Sequence, residues 1–508
     1  MFDYLVKNKL TVLLVTIFVL SFLVRFLGLG YSSFYGDETK VFYLDKTVPA
    51  FEFFMDQRKG PIQFLVVWLV EKFVGSPHEL YTRIPFALAG FFSIGVFYLL
   101  SKKLFEKLGD IKKIQLISLL ATLLFSFNGF NVAFSRTVQY QSFLTLFGLF
   151  GLYLFLNKKY LYSAVAFGLA FLSHYDAIFF VTPLLYLVVA NKEFSKDYKK
   201  MAVSFVLPLL LIIGSFYIPY IAKGYFETNT LNYLSKRIGG DVQTAKNFSA
   251  FTVALYNPCF ITFIFLLLPL MFFVKRSEKP SDKDVTDVIK MLSLWFMVTF
   301  LSYQFFMTNP GTHIHNYLIP LYFLSGFCVV YVYDYFGTKK FKLIYKYVAI
   351  LMSILVVARM FFIYVPGLNA GYPWKYSVFN NVYSKYQLFV YGFPYNRDWK
   401  AIREYFVNLD ERVEGVFTND DDDVAMYYLR EFNYTKPGTN FFPQYFIDVR
   451  YNMEFTTYKP FRFSSDKDLP KEEFYAHYDV EEIISENVVI YKRIEPNNAR
   501  SLGSLLYP

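Results

Sequence analysis

The sequence predicts a polytopic α-helical membrane protein with a small α/β domain at its C-terminal end. Of its 508 residues, 55% are hydrophobic and only 18% are charged, which is far more apolar than a soluble protein. Apolar runs of helical length recur up to residue 365, and short clusters of Lys and Arg separate them. Beyond that point charges interleave with scattered apolar residues. We therefore expect two domains, residues 1–365 in the membrane and residues 366–508 outside it.

The net charge of +10 does not indicate nucleic acid as a partner. The Lys and Arg residues lie between the apolar runs, where they orient helices across a bilayer. The two cysteines, Cys259 and Cys328, lie inside apolar runs. We therefore expect neither a disulfide framework nor a cysteine-based metal site.

About eleven membrane spans are predicted from the apolar runs. The first, residues 10–29, is longer than a signal-peptide core and has no small-residue cleavage site after it, so we expect a retained helix. Residues 61–75 are apolar but contain Glu71 and Lys72, and we expect them to lie in the interface. The other predicted spans are residues 84–100, 114–127, 142–156, 160–172, 177–190, 201–221, 251–274, 292–307, 317–332 and 347–364.

The basic clusters orient these spans by the positive-inside rule. They place the N-terminus in the cytoplasm and the C-terminal domain outside it, as expected of a multi-pass protein of the plasma membrane. In the C-terminal domain, strands are predicted at residues 413–418 and 488–492, and helices at residues 398–406 and 423–430. This pattern is typical of a small extracytoplasmic α/β domain.

The loop at residues 31–61 follows the first span and carries two charged pairs. Asp37 and Glu38 can take a proton or hold a cation, whereas Arg58 and Lys59 can hold a phosphate. A simpler alternative is that the acids stabilise the start of a short helix and the bases contact lipid head groups.

Other polar residues are predicted at outer helix ends or in outer loops, on the same side as this loop. Their position predicts a shared outward-facing cavity, because charges at such depth are costly unless paired or wetted. Alternatively, the arginines anchor helix ends, and His174 with Asp176 forms a hinge between two short spans. These residues are Arg83, Arg136, His174, Asp176, His313, His315 and Tyr317.

In order and sidedness these motifs resemble the GT-C glycosyltransferases. The resemblance is narrower to glycosyltransferase family 39, the dolichyl- or polyprenyl-phosphate-mannose–protein mannosyltransferases, and to the lipid A aminoarabinose transferases. It covers residues 1–365, and the sequence shows no sign of the large lumenal insert of the eukaryotic mannosyltransferases. The matching pieces are Asp37-Glu38, Lys59-Gly60-Pro61, Arg83-Ile84-Pro85, Ser135-Arg136 with Tyr140, and His315-Asn316-Tyr317 with Pro320.

The resemblance implies transfer of a hexose or pentose from a polyprenyl-phosphate-linked donor to a protein, lipid or glycan acceptor on the extracytoplasmic face. Asp37 is then the general base of a direct displacement. Glu38 orients it, contacts the acceptor or helps to hold a cation. The phosphate-binding residues are Arg58 and Lys59, with Arg83, Arg136, Tyr140 and Tyr317 as helpers.

A divalent cation is a candidate cofactor, with Glu38, His313 and His315 as candidate ligands, although two histidines so spaced also arise by chance. No nucleotide cofactor is expected, because the donor carries its own leaving group and no Gly-rich phosphate loop is found. The alternative function is a transporter or flippase of lipid-linked sugars. Such proteins typically show internal repeats and polar residues near mid-membrane, and this sequence shows neither clearly.

Overall fold

The computed structural model describes residues 9–190, 194, 196–238, 280–307, 311–335, 338–368, 392, 394, 396–432, 434, 442–449 and 475–494. The chain divides into two compact units. The first unit comprises Met1–Leu29 and Tyr43–Asn369, and the second comprises Gly30–Phe42 and Ala370–Pro508. The predicted class, a polytopic helical membrane fold with a small α/β domain, is confirmed. The loop at residues 31–61 is nevertheless divided between the two units.

All the regular secondary structure described in the first unit is helical. Its α-helices are Lys9–Phe26, Ala50–Met55, Ile62–Val74, Glu79–Leu104, Ile111–Ser126, Gly129–Ser135, Gln141–Leu156, Tyr160–Ser173, Val181–Ala190, Tyr198–Met201, Leu207–Ala222, Asn232–Arg237, Pro280–Leu301, His315–Tyr335 and Lys339–Tyr364. Short 3₁₀ turns cover Glu106–Leu108, Tyr175–Phe180 and Gly311–Ile314. Single π-helical turns cover Ala202–Val206, Phe226–Leu231 and Ser302–Phe306.

Six helices of the described residues are long and apolar enough to cross a membrane, or seven if one bent pair counts as a single span. Three further apolar helices are shorter, including Gln141–Leu156 and Tyr160–Ser173. The predicted span at residues 251–274, with Cys259, lies outside the described residues. The total of eleven spans therefore stays a prediction.

The bent pair comprises Ile111–Ser126 and Gly129–Ser135, which meet at 58°. Buried Asn128 causes the bend, because its side-chain oxygen accepts hydrogen bonds from the N–H groups of Phe130 and Asn131 and so begins a new helix. The second helix of the pair leads directly into Arg136 and Tyr140.

Stacked aromatic rings form part of the core of the first unit. Phe97 stacks on Phe125 at 4.2 Å on one side and on Phe323 at 4.0 Å on the other. These rings join three long helices with almost parallel ring planes. Such offset aromatic contacts add to the free energy gained from burying the rings.

The second unit contains a four-stranded sheet in the order β1-β2-β4-β3. The strands are β1 (Val416–Thr418), β2 (Tyr445–Val449), β3 (Tyr478–Ser485) and β4 (Val488–Arg493). Strand β1 pairs parallel with β2, and β4 pairs antiparallel with both β2 and β3. The α-helices of this unit are Trp399–Val407, Asp422–Tyr428 and the short Gly36–Thr39. The predicted strands and helices correspond to β1, β4 and the two longer helices, whereas β2 and β3 escaped prediction.

Candidate active site

Three ionisable side chains meet in the first unit: His174, Asp176 and His313. Nδ1 of His174 lies 3.2 Å from Oδ1 of Asp176, and Nδ1 of His313 lies 2.7 Å from its Oδ2. One potential ligand atom from each residue lies within 4.8 Å of the others. Imidazole nitrogen and carboxylate oxygen are ligands that Zn²⁺ and related divalent ions accept. In the part of the chain that the structure describes, this is the one group of three such residues so close together.

Two separate breaks between helices build this group. His174 lies between the helix Tyr160–Ser173 and the 3₁₀ turn that carries Asp176, and its Nδ1 accepts a hydrogen bond from the Asp176 N–H at 3.0 Å. His313 lies in the short turn before the helix that begins at His315. Asn316, in the first turn of that helix, donates to Oδ2 of Asp176 at 2.9 Å. Asp176 therefore connects the two breaks.

Tyr140 contacts both histidines. Its ring stacks on His174 with centroids 3.8 Å apart and ring planes 9° apart, and its hydroxyl lies 3.0 Å from Nδ1 of His313. The ammonium group of Lys59 lies 5.5 Å from the centroid of the Tyr140 ring. One predicted phosphate-binding residue thus lies beside the three-residue group.

Gly60 explains how Lys59 reaches this position. Gly60 has φ of +98°, and a Cβ atom there would lie 2.2 Å from the carbonyl oxygen of Leu172. Only glycine permits both this conformation and this approach. Because Leu172 is in the last turn of the helix before His174, the contact packs the Lys59-Gly60 segment against the helix end that presents His174.

The other predicted phosphate-binding residue of this pair, Arg58, has a different partner. Its guanidinium carbon lies 3.5 Å from the centroid of the Tyr233 ring, a cation–π contact. Arg58 and Lys59 therefore each contact an aromatic ring. The ring beside Lys59 lies at the start of the helix Gln141–Leu156, and the ring beside Arg58 lies in the helix Asn232–Arg237.

Arg83 and Arg136 are buried, and both bind backbone carbonyl groups at or just beyond the C-terminal end of the first helix. Nη1 of Arg83 donates to the carbonyl of Leu29 at 3.1 Å. The last carbonyl groups of a helix lack partners within the helix, and Arg136 satisfies those of Val24 and Arg25 in the helix Lys9–Phe26. Arg136 donates to four carbonyls at 2.9–3.2 Å, those of Val24, Arg25, Leu27 and Gly28.

Tyr317 is buried near the start of the helix His315–Tyr335. Its ring makes edge contacts with Phe296 and Phe300, at centroid distances of 6.1 and 5.4 Å. These contacts place the ring in aromatic packing between two helices.

Asp37 and Glu38 belong to the second unit, in the short helix Gly36–Thr39. The carboxylate of Glu38 is buried and accepts a hydrogen bond from the N–H of Tyr35 at 2.8 Å. The side chain of Asp37 is 32% exposed, and its carboxylate lies 3.5 Å from the ammonium group of Lys40. The two adjacent acids therefore differ, because Glu38 is buried and hydrogen-bonded to the local backbone, whereas Asp37 is partly exposed to solvent.

The metal-ligand set predicted from the sequence, Glu38 with His313 and His315, is not the set that the structure groups. Only His313 belongs to the observed group. The ring of His315 packs edge-on against Phe134 at 5.4 Å, and the role of Glu38 as a ligand stays a prediction. His174 and Asp176, which the sequence suggested as a hinge, lie at a break between two helices and also bear ligand atoms. A histidine and an aspartate two positions apart at a helix end are the sequence signal of such a site.

Comparison with known proteins bears on the fold. Residues 58–220 match the family model described as dolichyl-phosphate-mannose-protein mannosyltransferase. No curated protein matches the chain by sequence. Among solved structures, ArnT from Cupriavidus metallidurans bound to undecaprenyl phosphate has a TM-score of 0.54 at 11% identity, covering 96% of this chain and 98% of that chain. Its apo state has a TM-score of 0.51 at 11% identity, covering 98% and 99%.

An oligosaccharyltransferase from Archaeoglobus fulgidus tethered with an acceptor peptide is also similar, with a TM-score of 0.46 at 13% identity, covering 85% of this chain and 64% of that chain. The segment matched by the family model contains Lys59, Tyr140 and both His174 and Asp176 of the observed group. The matched segment and the ArnT-like fold together confirm the predicted resemblance of this chain to the GT-C glycosyltransferases of family 39 and to the aminoarabinose transferases.

Proposed function

We propose that this protein transfers a sugar from a polyprenyl-phosphate-linked donor to an acceptor on the extracytoplasmic face of the membrane. The observation that carries the proposal is the placement of Lys59 beside the group of His174, Asp176 and His313. A cation next to a set of metal ligands suits the phosphate of a lipid carrier. The mannosyltransferase family match and the ArnT structure with undecaprenyl phosphate support the same donor class.

The reaction is a direct displacement at the anomeric carbon of the sugar. The bond from this carbon to the phosphate oxygen breaks, a bond to the acceptor oxygen or nitrogen forms, and polyprenyl phosphate leaves. Asp37 takes the proton of the acceptor hydroxyl or amine, since general bases must be accessible to the group that they deprotonate. Glu38 orients Asp37 through its hydrogen bond with the Tyr35 backbone.

Lys59 and Arg58 bind the phosphate of the donor. A divalent cation held by His174, Asp176 and His313 would supply positive charge that stabilises the departing phosphate. Tyr140 keeps the two imidazoles in place through its ring and its hydroxyl. We assign positioning roles to Arg83 and Arg136, because both guanidinium groups bind backbone carbonyls, Arg136 in the last turn of the first helix and Arg83 at Leu29 after it. Tyr317 remains a proposed helper.

The direct test is sugar transfer by the full-length protein in detergent, with undecaprenyl-phosphate-linked hexoses and pentoses as donors. We expect Asp37→Asn to lower kcat at least about 100-fold, the usual contribution of a general base. Asp45→Asn is the matched control, because Asp45 is exposed and its carboxylate accepts hydrogen bonds from the N–H and the hydroxyl of Thr47. Near-normal turnover by Asp37→Asn would contradict the proposal. Movement of the lipid-linked sugar across proteoliposomes without transfer would favour the flippase alternative.

A further inference from the structure

Residues 30–42, which carry Asp37, fold as part of the C-terminal domain. The N–H of Phe34 donates to the hydroxyl of Tyr428 at 2.9 Å, and its carbonyl accepts from Nη2 of Arg397 at 2.7 Å. The Arg397 guanidinium is buried and lies 5.1 Å from the centroid of the Tyr35 ring. Both backbone groups of Phe34 are therefore held by side chains more than 350 residues away in sequence.

The side chain of Phe34 is enclosed as well. It is 1% exposed and contacts the rings of Phe42, Tyr427 and Tyr428, at centroid distances of 4.9, 5.6 and 6.5 Å. Aromatic rings at these separations pack favourably. The segment just before Asp37 is thus fixed by packing in addition to hydrogen bonds.

The helix that carries Asp37 begins against the start of the helix Asp422–Tyr428. A Cβ atom at Gly36 would lie 2.5 Å from the carboxylate of Asp421, so a larger residue there would displace this carboxylate. Asp421 caps the domain helix by accepting from the N–H of Asp423 at 2.9 Å. The hydroxyl of Thr39 lies 3.3 Å from the carbonyl oxygen of Asp423. The two helix starts therefore form one packed unit.

Lys40 connects the two helices at their charged ends. Its ammonium group lies 2.6 Å from Oδ2 of Asp423 and 3.5 Å from Oδ1 of Asp37. Their side chains are 56%, 34% and 32% exposed, in the order Lys40, Asp423, Asp37. Ion pairs this exposed contribute little to folding stability. We therefore expect the bridge to affect the orientation of the Asp37 carboxylate and the charge beside it more than the stability of the fold.

We propose that Lys40 is a positioning residue for sugar transfer, which ties the carboxylate of Asp37 to Asp423 of the C-terminal domain. This inference rests on the proposed function, in which Asp37 is the general base. A nearby cation favours the charged form of a carboxylate, which is the form that accepts a proton. The C-terminal domain thus sets the orientation and the charge of the base.

The test compares Lys40→Met and Lys40→Arg with the control Lys46→Met, an exposed lysine of the same predicted loop. We expect Lys40→Met to lower kcat about tenfold and to move the acid limb of the pH–rate profile upward, while KM for the undecaprenyl-phosphate donor stays within about twofold. Lys40→Arg restores most of the activity, because it keeps the charge. Asp421 also acts electrostatically on Lys40, and it is unchanged in these variants.

Asp423→Asn removes the bridge from the domain side, and its matched control is Glu431→Gln, which breaks the exposed pair with Arg403 at 2.7 Å. We expect Asp423→Asn to lower kcat and Glu431→Gln to leave it unchanged. Wild-type kcat and pH profile in both Lys40→Met and Asp423→Asn, with an inactive Asp37→Asn, would overturn the inference and leave the proposed function standing. An active Asp37→Asn would instead reject the proposed function. Loss of activity that Lys40→Arg does not rescue would also overturn the inference.

Discussion

Two charged clusters among the described residues differ in how far water reaches them. In the first unit, His174 and Asp176 are fully enclosed, and His313 is 12% exposed. In the second unit, Asp37, Lys40 and Asp423 are each at least 32% exposed. A buried charge must be paired where it lies, whereas an exposed carboxylate can exchange protons with an acceptor. The buried cluster is therefore suited to holding a fixed charge, and the exposed cluster is suited to proton transfer.

Replacing Asp176 should break the buried cluster and give the largest effect. Asp176→Asn removes the negative charge between the two imidazoles, and hydrogen bonds to a buried charged group contribute about 1.5–3 kcal/mol to stability. We expect transfer activity to fall at least about 100-fold, with loss of any copurifying divalent metal. Elemental analysis and thermal unfolding of the purified protein measure both effects.

The control for this change is Asp334→Asn, an aspartate whose 46% exposed side chain pairs with Lys113. It should leave activity and metal content unchanged. If Asp176→Asn keeps its metal content and its turnover, the buried cluster does not hold the proposed cation.

Asp421 of the second unit is a largely buried carboxylate that lies beside other carboxylates. Burial, together with Asp420 and Asp423, raises the pKa of Asp421 to about 6. Because this folded pKa exceeds the unfolded value of about 3.8, the folded domain binds an extra proton between about pH 4 and 6. Its stability should therefore fall as the pH rises through that window, by an amount on the order of 2 kcal/mol.

Asp421→Asn should keep the helix cap, since asparagine caps as well as aspartate, and should abolish this pH dependence. Hydrogen exchange of the amides in residues 422–428 of the full-length protein, followed from pH 4 to 7, measures it. Asp410→Asn, an exposed aspartate of the same domain, is the control. An unchanged slope in Asp421→Asn would assign the pH dependence to another group.

A change at Gly60 tests whether Lys59 depends on the buried cluster for its position. The added methyl group of Gly60→Ala meets the Leu172 carbonyl, so we expect destabilisation by more than about 1 kcal/mol and a higher KM for the donor. Gly75→Ala is a close control, because Gly75 has φ of +87° with nothing within 4 Å of the added atom. Equal KM values for the two variants would separate the Leu172 contact from donor binding.

Tyr140→Phe should give the smallest effect. It keeps the ring on His174 and removes the hydroxyl beside His313, a loss of about 1 kcal/mol or roughly fivefold in kcat/KM. Tyr322→Phe is the control, since the buried Tyr322 hydroxyl has no hydrogen-bond partner among the described residues. Steady-state kinetics of both variants decide whether the Tyr140 hydroxyl matters. Equal kcat/KM values for the two variants would mean that Tyr140 contributes through the stacking of its ring and not through its hydroxyl.

The membrane fold was predictable because long apolar runs and basic clusters are local signals. The site was predictable only in part. Lys59 and Tyr140 could be named from short motifs, but Asp176 meets His313 across 137 residues of sequence, and no local pattern encodes that contact. The sequence also does not reveal which carbonyls a buried guanidinium such as that of Arg136 will reach.

Strands β2 and β3 escaped prediction for a related reason. Tyr445–Val449 is a short, mostly buried run whose partners β1 and β4 lie far from it in sequence. Strand β3 has a mostly exposed face and two register irregularities, which obscure an alternating pattern. Pairing across the sheet determines both strands more than their own residues do.

The first helix should tolerate mutation on its exposed face far better than at its C-terminal end, where its carbonyls bind Arg136. Val15 and Val19 are 56% and 51% exposed, and other apolar residues should be tolerated at these two positions. At the end, a planar fork of donors satisfies several carbonyls at once, and a lysine, with its single nitrogen, has no equivalent geometry. A deep mutational scan should therefore find a permissive stripe along this helix that stops abruptly at its last turn.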